Sequence, residues 1–274
     1  MTDSFCESLN ACMGEVPKIP RVRFEVGLGE DAAKWLDKKH QGGQVHEPAM
    51  LAAFLAIRGR FNCRMAFDVG ALFGYFTIAC QTIFKCNVVA FEMHKAAIGP
   101  LSRNIQGAKY LEAAVSDECR KGVKIWISGF NIYEKPEGGW EELDNIPGAM
   151  KPRGVDNRGR GFMRINFVTL DWFCEQTGYL PDVVKIDVEG YQAKAVRGMM
   201  GIVERHRPAI VIELHDPEKL ARFGTTNKET VKPLFDAGYR SYWCGDHRST
   251  EAKFERVADM DERHEKLSLM VLIP

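Results

Sequence analysis

The 274-residue chain has no surplus of charge, since 37 Lys and Arg stand against 37 Asp and Glu. Proteins that live on nucleic-acid phosphate or anionic lipid select a strongly basic surface, so a zero balance argues against either as the general partner. No apolar run approaches the roughly 18–20 residues that span a bilayer. The N-terminal stretch MTDSFCESLNACMGEV carries acids and lacks the basic region and apolar core of a secretory signal. The expectation is a cytoplasmic protein with no membrane partner. The eight cysteines (Cys6, Cys12, Cys63, Cys80, Cys86, Cys119, Cys174 and Cys244) contain no C-x-x-C pair, which zinc ribbons and fingers need. Reduced, mostly buried thiols are expected instead. There is no internal repeat either.

What is present reads as alternating strands and helices. Residues 30–40 look helical before Gln41-Gly42-Gly43 stops them, and 47–58 (EPAMLAAFLAIR) has proline near its start and an apolar body. From residue 64 the period changes. Apolar runs at 64–69, 87–91, 109–115, 182–188 and 209–214 suit buried parallel strands, with further strands at 240–243 and 267–273. Helical stretches at 75–84, 95–105 and 191–205 separate them. Strands alternating with helices of this length imply an α/β protein with a doubly wound, mostly parallel, Rossmann-like seven-stranded sheet. Residues 1–62 read as an N-terminal helical extension and 63–274 as the main domain.

One segment, about 121–166, breaks the alternation and reads as an inserted loop or hairpin over one end of the sheet. It opens with VKIWIS, turns acidic (Glu134, Glu137, Glu141, Glu142, Asp144 against Lys135), then basic (Lys151, Arg153, Arg158, Arg160, Arg164 against Asp156). A long loop inside a compact domain is usually functional or disordered, and here it is the expected source of specificity.

In open α/β sheets ligands bind at the carboxyl ends of the strands. The first strand ends in Asp68-Val-Gly70-Ala-Leu-Phe-Gly74, a tight glycine turn, and the second ends in Glu92, placed to accept both hydroxyls of a ribose. The dinucleotide pattern G-x-G-x-x-G is absent, and the bulky Leu72-Phe73 pair stands where a pyrophosphate would need room. A ribose ligand without phosphates but with a positive amino-acid tail fits better, and S-adenosylmethionine is that ligand. In PDVVKIDVEGY, Lys185, Asp187 and Glu189 alternate, sharing a face if the strand runs that far. A structural ion pair capping the next helix is the plainer reading of the same trio. Glu213 and His215 share a face at the end of the fifth strand, and a histidine titrating near neutrality is a natural general base. Phe73, Tyr75 and Phe76 suit either a cation–π wall or helix-core packing.

FDVGALFGYF, the acid in VVAFEMH, LEAAVSD, FVTLDWF, PDVVKIDVEGYQAKAVRG and RPAIVIELH occur in an order that resembles the FkbM-family methyltransferases, over roughly residues 63–215. The resemblance implies the class I S-adenosylmethionine-dependent methyltransferase fold. It implies that Asp68, Gly70 and Gly74 line the methionine part of the cofactor, with Ala71 and Met93 also binding the cofactor and Met93 bearing on the adenine wall. Glu92 would hold the ribose, Ser116 and Asp117 would face the adenine, and Asp187 would sit where cofactor and acceptor meet. Glu92-Met93 replaces the family's usual Glu-Pro, and Gly70-Ala71-Leu72 its Gly-Ala-Asn. The implied reaction is O-methylation of a hydroxyl on a sugar or small metabolite, with Asp187, Glu189 or His215 taking the proton or orienting the acceptor. No metal is expected, although Asp187, Glu189 and His215 would also make an oxygen and nitrogen site for a divalent cation. The absence of an N/D-P-P-Y/F element argues against base N-methylation. A small-molecule or glycan acceptor is expected and nucleic acid is disfavoured. A homodimer, a protein or RNA-ribose acceptor, and a non-catalytic scaffold stay open.

Overall fold

The computed structural model describes residues 3–19, 45–128, 131–133 and 160–274. Along the chain lie α1 (Ser4–Cys12), α2 (Pro48–Arg60), β1 (Met65–Val69), α3 (Tyr75–Phe84), β2 (Asn87–Glu92), α4 (Lys95–Asn104), β3 (Lys109–Glu112) and β4 (Ala114–Val115). There follow β5 (Arg120–Ser128), β6 (Asn131–Tyr133), β7 (Arg160–Val168), α5 (Leu170–Thr177), β8 (Val183–Ile186), α6 (Gln192–Arg197) and α7 (Met200–His206). The chain closes with β9 (Ala209–Leu214), α8 (Pro217–Ala221), α9 (Asn227–Asp236), β10 (Arg240–Cys244), β11 (Glu255–Val257) and β12 (Ser268–Ile273).

The main sheet runs β11-β10-β12-β9-β8-β1-β2-β3. Strands β3, β2, β1, β8 and β9 are parallel, whereas β12 inserts antiparallel between β9 and β10. The central strands are apolar on both faces because both are covered. One layer combines α1, α2 and α3, including Phe5, Leu9, Phe54 and Ile83; the other combines α5, α6, α7 and α9, including Phe173, Val196, Ile202 and Leu234. Helix α2 begins with Pro48 at its first turn, where a missing N–H costs nothing. Helix α9 opens with a reciprocal capping box between Thr226 and Glu229. Among the described residues no helix is long and apolar enough to cross a membrane, and all eight cysteines are free.

Four details differ from the sequence reading. The main sheet has eight strands rather than seven, because the three-residue β11 pairs onto the edge of β10. The third apolar run divides: Lys109–Glu112 stays in the main sheet, while Ala114–Val115 turns away to pair with β7. Strand β8 ends at Ile186, so Asp187 and Glu189 belong to a turn and not to one strand face. The helix expected over 191–205 is two helices, broken around Gly198, where a Cβ would meet the Ser116 carbonyl oxygen at 1.8 Å.

The inserted segment builds a second sheet in the order β4-β7-β5-β6, with β5 and β6 forming the hairpin. Its inner face (Ile125, Ile127, Met163, Ile165, Phe167) packs on Tyr191, with Val188 and Met93 against it. Those three follow β8 and β2, so the second sheet stands over the carboxyl ends of the first. The acidic residues Glu134 to Asp144 and the basic Lys151 to Arg158 lie outside the described residues, as does the helix expected over 30–40. Arg160 is described in backbone only, and Arg164 Nη1 donates to the Gly122 carbonyl at 2.8 Å.

Candidate active site

The glycine turn after β1 sets the floor of the site. Gly70 has φ +78°, and a Cβ there would lie 1.8 Å from the Asp187 carbonyl oxygen, so only glycine lets the ends of β1 and β8 meet this closely. The Gly70 and Ala71 amides both donate to the Phe91 carbonyl, at 3.0 and 3.1 Å, which ties the turn to β2. Gly74 caps α3 at φ +90°, with Ile105 2.4 Å from where its Cβ would be.

Glu92, 6% exposed, stands at the end of β2. Its carboxylate accepts from the Leu72 amide at 2.7 Å and the His94 amide at 2.6 Å. Burial raises its pKa, and those two hydrogen bonds offset part of the rise. The carboxylate keeps lone pairs toward a cavity walled by Phe91, Met93, His94, Ala113, Ala114 and Val115 on one side, and by Gly70, Asp187, Glu189 and Glu213 on another.

Beneath the turn lies a closed ion pair. Lys185 Nζ is 3.0 Å from Asp68 Oδ1 and donates to the Gly70 carbonyl at 2.9 Å, while Thr77 Oγ1 donates to Asp68 Oδ2 at 2.6 Å. Lys185 and Asp68 are 1% and 0% exposed. Burial alone would push the ammonium pKa down, yet the Asp68 and Asp187 carboxylates outweigh it and hold Lys185 above its ordinary value. Lys185 also lies over the Phe76 ring at 5.0 Å, so Phe76 already faces a cation of the protein itself. Phe73 is buried and the Tyr75 hydroxyl accepts from the His46 amide, so none of the three aromatics lines the cavity.

Beside the cavity the arrangement differs, and several carboxylates share the same partners. Asp187 Oδ1 is 3.9 Å from His215 Nε2. Burial and the neighbouring Glu213 push its carboxyl well above the usual range, against the pull of Lys185. Burial raises Glu213 too, but hydrogen bonds from His215 and His247 outweigh it and leave Glu213 well below its ordinary value. Glu189 is raised by burial and brought below normal by His215 and by its ion pair with Lys219. His215 Nε2 lies 3.1 Å from Glu213 and 3.5 Å from Glu189. Burial disfavours its charged form, yet Glu189 and Glu213 overcome that and lift its pKa to about 10. At neutral pH His215 is therefore a cation locked among carboxylates and has no free lone pair on Nε2 to act as a general base, contrary to the sequence expectation.

Four residues that sequence reasoning did not single out complete this cluster: His46, Glu47, His247 and Arg248. Glu47, 3% exposed, has burial and Glu213 raising its pKa to about 7. Its Oε1 pairs with Arg248 Nε at 3.3 Å and His46 Nε2 at 3.4 Å, and its Oε2 is buried with no hydrogen-bond partner. His247 Nε2 lies 2.9 Å from Glu213 Oε1. Of the five non-glycine residues at positive φ among the described residues, three (Glu47, Leu72 and Glu189) line the cavity, a concentration of strained backbone typical of functional sites. Two trios, Glu47–Glu213–His247 and Asp187–Glu213–His215, bring metal-ligand atoms within 4.8 Å of one another. Arg248 already bridges the two carboxylates of the first trio.

Ser116 and Asp117 are absent from the cavity wall. Ser116 is fully buried with its hydroxyl against Asp117 and the Tyr191 hydroxyl, and Asp117 is paired with Arg197 at 2.9 Å. Arg197 holds the Asp117 carboxyl below its ordinary value despite burial. The cavity wall is formed instead by the preceding residues Ala113, Ala114 and Val115.

A doubly wound sheet with a glycine turn after β1, an acid ending β2 and a charged cavity at the carboxyl ends is the class I methyltransferase architecture. The chain belongs to the FkbM methyltransferases, matching the family described as Methyltransferase FkbM domain over residues 68–241. No curated protein matches it. Among solved structures it is similar to methyltransferase FkbM from Methylobacillus flagellatus, at 11% identity and TM-score 0.44, covering 82% of this chain and 54% of that one. The chain thus spans about half the length of that relative. It is also similar to a TehB-like SAM-dependent methyltransferase from Corynebacterium glutamicum (10% identity, 89% and 95% coverage, TM-score 0.44). A third is the O-methyltransferase from Bacillus cereus in complex with SAH (12% identity, 100% and 92% coverage, TM-score 0.38).

Proposed function

We propose that the chain is an S-adenosylmethionine-dependent O-methyltransferase acting on a hydroxyl of a sugar or other small metabolite. The observation that carries this reading is one cavity that joins the Glu92 carboxylate and its apolar neighbours to the Asp187–Glu213 pair. The residues fit the cofactor: Glu92 has lone pairs for ribose hydroxyls, Met93 and Ala113 to Val115 give an apolar wall for a base, and the carboxylate-rich end suits a positively charged tail. When bound, S-adenosylmethionine supplies an activated methyl group on a sulfonium. The protein's share is then positioning the acceptor and moving its proton.

Asp187 is the group placed for that proton. It is 22% exposed in the cavity wall, whereas Glu213 is 2% exposed and saturated by His215, His247 and Arg248. Positive charge entering the cavity favours ionised Asp187, which then accepts a proton from the acceptor hydroxyl. His215 and Lys219 hold Glu189, and His215 with Glu189 and Glu213 fixes the wall around Asp187. The second sheet over the carboxyl ends supplies the surface against which the acceptor is chosen.

The test has two stages. Calorimetry with S-adenosylhomocysteine should show binding. Labelled methyl from S-adenosylmethionine should then appear on hydroxyls in a panel of sugars and small hydroxy-metabolites. Label entering only RNA or protein would overturn the acceptor class, and no binding would overturn the cofactor.

A further inference from the structure

The cavity wall carries five carboxylates (Glu47, Glu92, Asp187, Glu189 and Glu213) and, among the described residues, one guanidinium and no lysine. The guanidinium is that of Arg248, in the turn between β10 and β11 and outside the stretch that matches the family. Its Nη2 donates to Glu213 Oε1 at 3.0 Å and its Nε lies 3.3 Å from Glu47 Oε1. Both carboxylates are nearly inaccessible, at 2% and 3% exposure, so they form fixed posts for two of the three guanidinium nitrogens. A planar fork held at two nitrogens loses little freedom when its third nitrogen binds a ligand. Nη1 has no hydrogen-bond partner among the described residues, and 41% of the side chain is exposed.

A pocket lined by five carboxylates repels anions and favours cations. One preset guanidinium within it makes sense for a ligand that is positive with a single negative group, which describes an amino-acid zwitterion. Arg248 and Glu92 line the same cavity, so one ligand can meet both, with ribose hydroxyls at Glu92 and a charged tail at Arg248. We propose that Arg248, oriented by Glu47 and Glu213, binds the α-carboxylate of the cofactor's amino-acid tail. This rests on the S-adenosylmethionine reading above. The unpartnered Glu47 Oε2 and the cavity-facing Asp187 carboxylate then serve the ammonium of the same tail. A carboxylate or phosphate on the methyl acceptor is the competing source of the same chemistry.

Two probes separate these sources without an identified acceptor: S-adenosylhomocysteine and its decarboxylated counterpart, which keeps the amine and loses only the carboxylate. Both are titrated calorimetrically against the wild-type chain, Arg248→Ala and Arg248→Lys, with thermal unfolding followed for each. The wild type should prefer S-adenosylhomocysteine by about 10- to 100-fold, the range of a charge-assisted hydrogen-bonded pair. Arg248→Ala should abolish the preference by weakening S-adenosylhomocysteine alone. Arg248→Lys should keep part of it, since the charge stays and the fork is lost. If the alanine variant does not fold, because two buried carboxylates lose their partner, the lysine variant decides, and an undiminished preference there overturns the proposal. An undiminished preference in Arg248→Ala, or none in the wild type despite tight binding, also overturns it and assigns the guanidinium elsewhere. Failure of the wild type to bind either probe overturns the cofactor reading together with the proposal.

Discussion

Two buried charge clusters lie a few residues apart in this protein and behave in opposite ways. The Lys185–Asp68 pair is compact: Gly70, Thr77 and the ion pair itself engage its charged groups, Lys185 stands further from Asp187 at 3.7 Å, and neither side chain lines the cavity. The Asp187–Glu213–Glu47 cluster is open, with three carboxylates sharing His215, His247 and Arg248, an unpartnered Glu47 oxygen and an Asp187 that meets the cavity. The first has the form of an internal strut that lets a lysine sit in the centre of a parallel strand. The second leaves a buried acceptor oxygen unused, and that is what a cationic ligand can complete. Burial of charge therefore does not by itself mark a site here, whereas incomplete pairing does.

The comparison can be broken most forcefully at Lys185. Lys185→Met should leave Asp68 buried and unpaired, costing about 3–5 kcal/mol of stability in thermal or denaturant unfolding. A loss no larger than that from Asp187→Asn would mean the strut and the site are not distinct. Asp187→Asn should instead unfold near the wild-type temperature while methyl transfer falls on the order of 100- to 10,000-fold, as for loss of a proton acceptor.

A third test uses pH. The His215 pKa of about 10 in the folded protein lies above its ordinary 6.5, so its contribution to stability is fully present below about 6.5 and is lost as pH rises through 10. Across that window the wild type should lose stability with a slope approaching about 1.4 kcal/mol per pH unit from this group. His215→Gln should flatten the slope, and an unchanged slope would remove His215 from the cluster's charge balance. Glu92→Ala should weaken S-adenosylhomocysteine by about 1.5–3 kcal/mol through loss of charge-assisted hydrogen bonds. The smallest effect belongs to Asp117→Asn, which should change that affinity less than about twofold, since Asp117 is committed to Arg197 and sits outside the wall. A larger loss would return the adenine contact to this residue.

Much of the site's framework was legible in local sequence. Asp68, Gly70, Gly74 and Glu92 sit within or just after apolar strands, and a strand end is easily read because the turn residue and the loss of hydrophobicity coincide. Asp187 and Glu189 were legible as residues, but not their geometry, because β8 stops at Ile186, two residues short of the apolar run and three short of Glu189. The protonation of His215 was not legible at all, because it follows from Glu189, 26 positions away in the chain (215 − 189), as much as from its own strand partner Glu213.

The sequence by itself determined the alternation of strands and helices, the glycine turn that needs a residue without Cβ, and the acid that ends β2. These follow from local sterics and hydrophobic period, which each segment carries within itself. Only the tertiary structure decided that Glu47 before α2, Glu213 at the end of β9 and Arg248 after β10 share one charge network. No local pattern marks Arg248 or Glu47, since a polar turn and a Glu-Pro step look alike wherever they occur. What distinguishes them is burial beside one another, set by how α2 and the β10–β11 turn pack against the sheet.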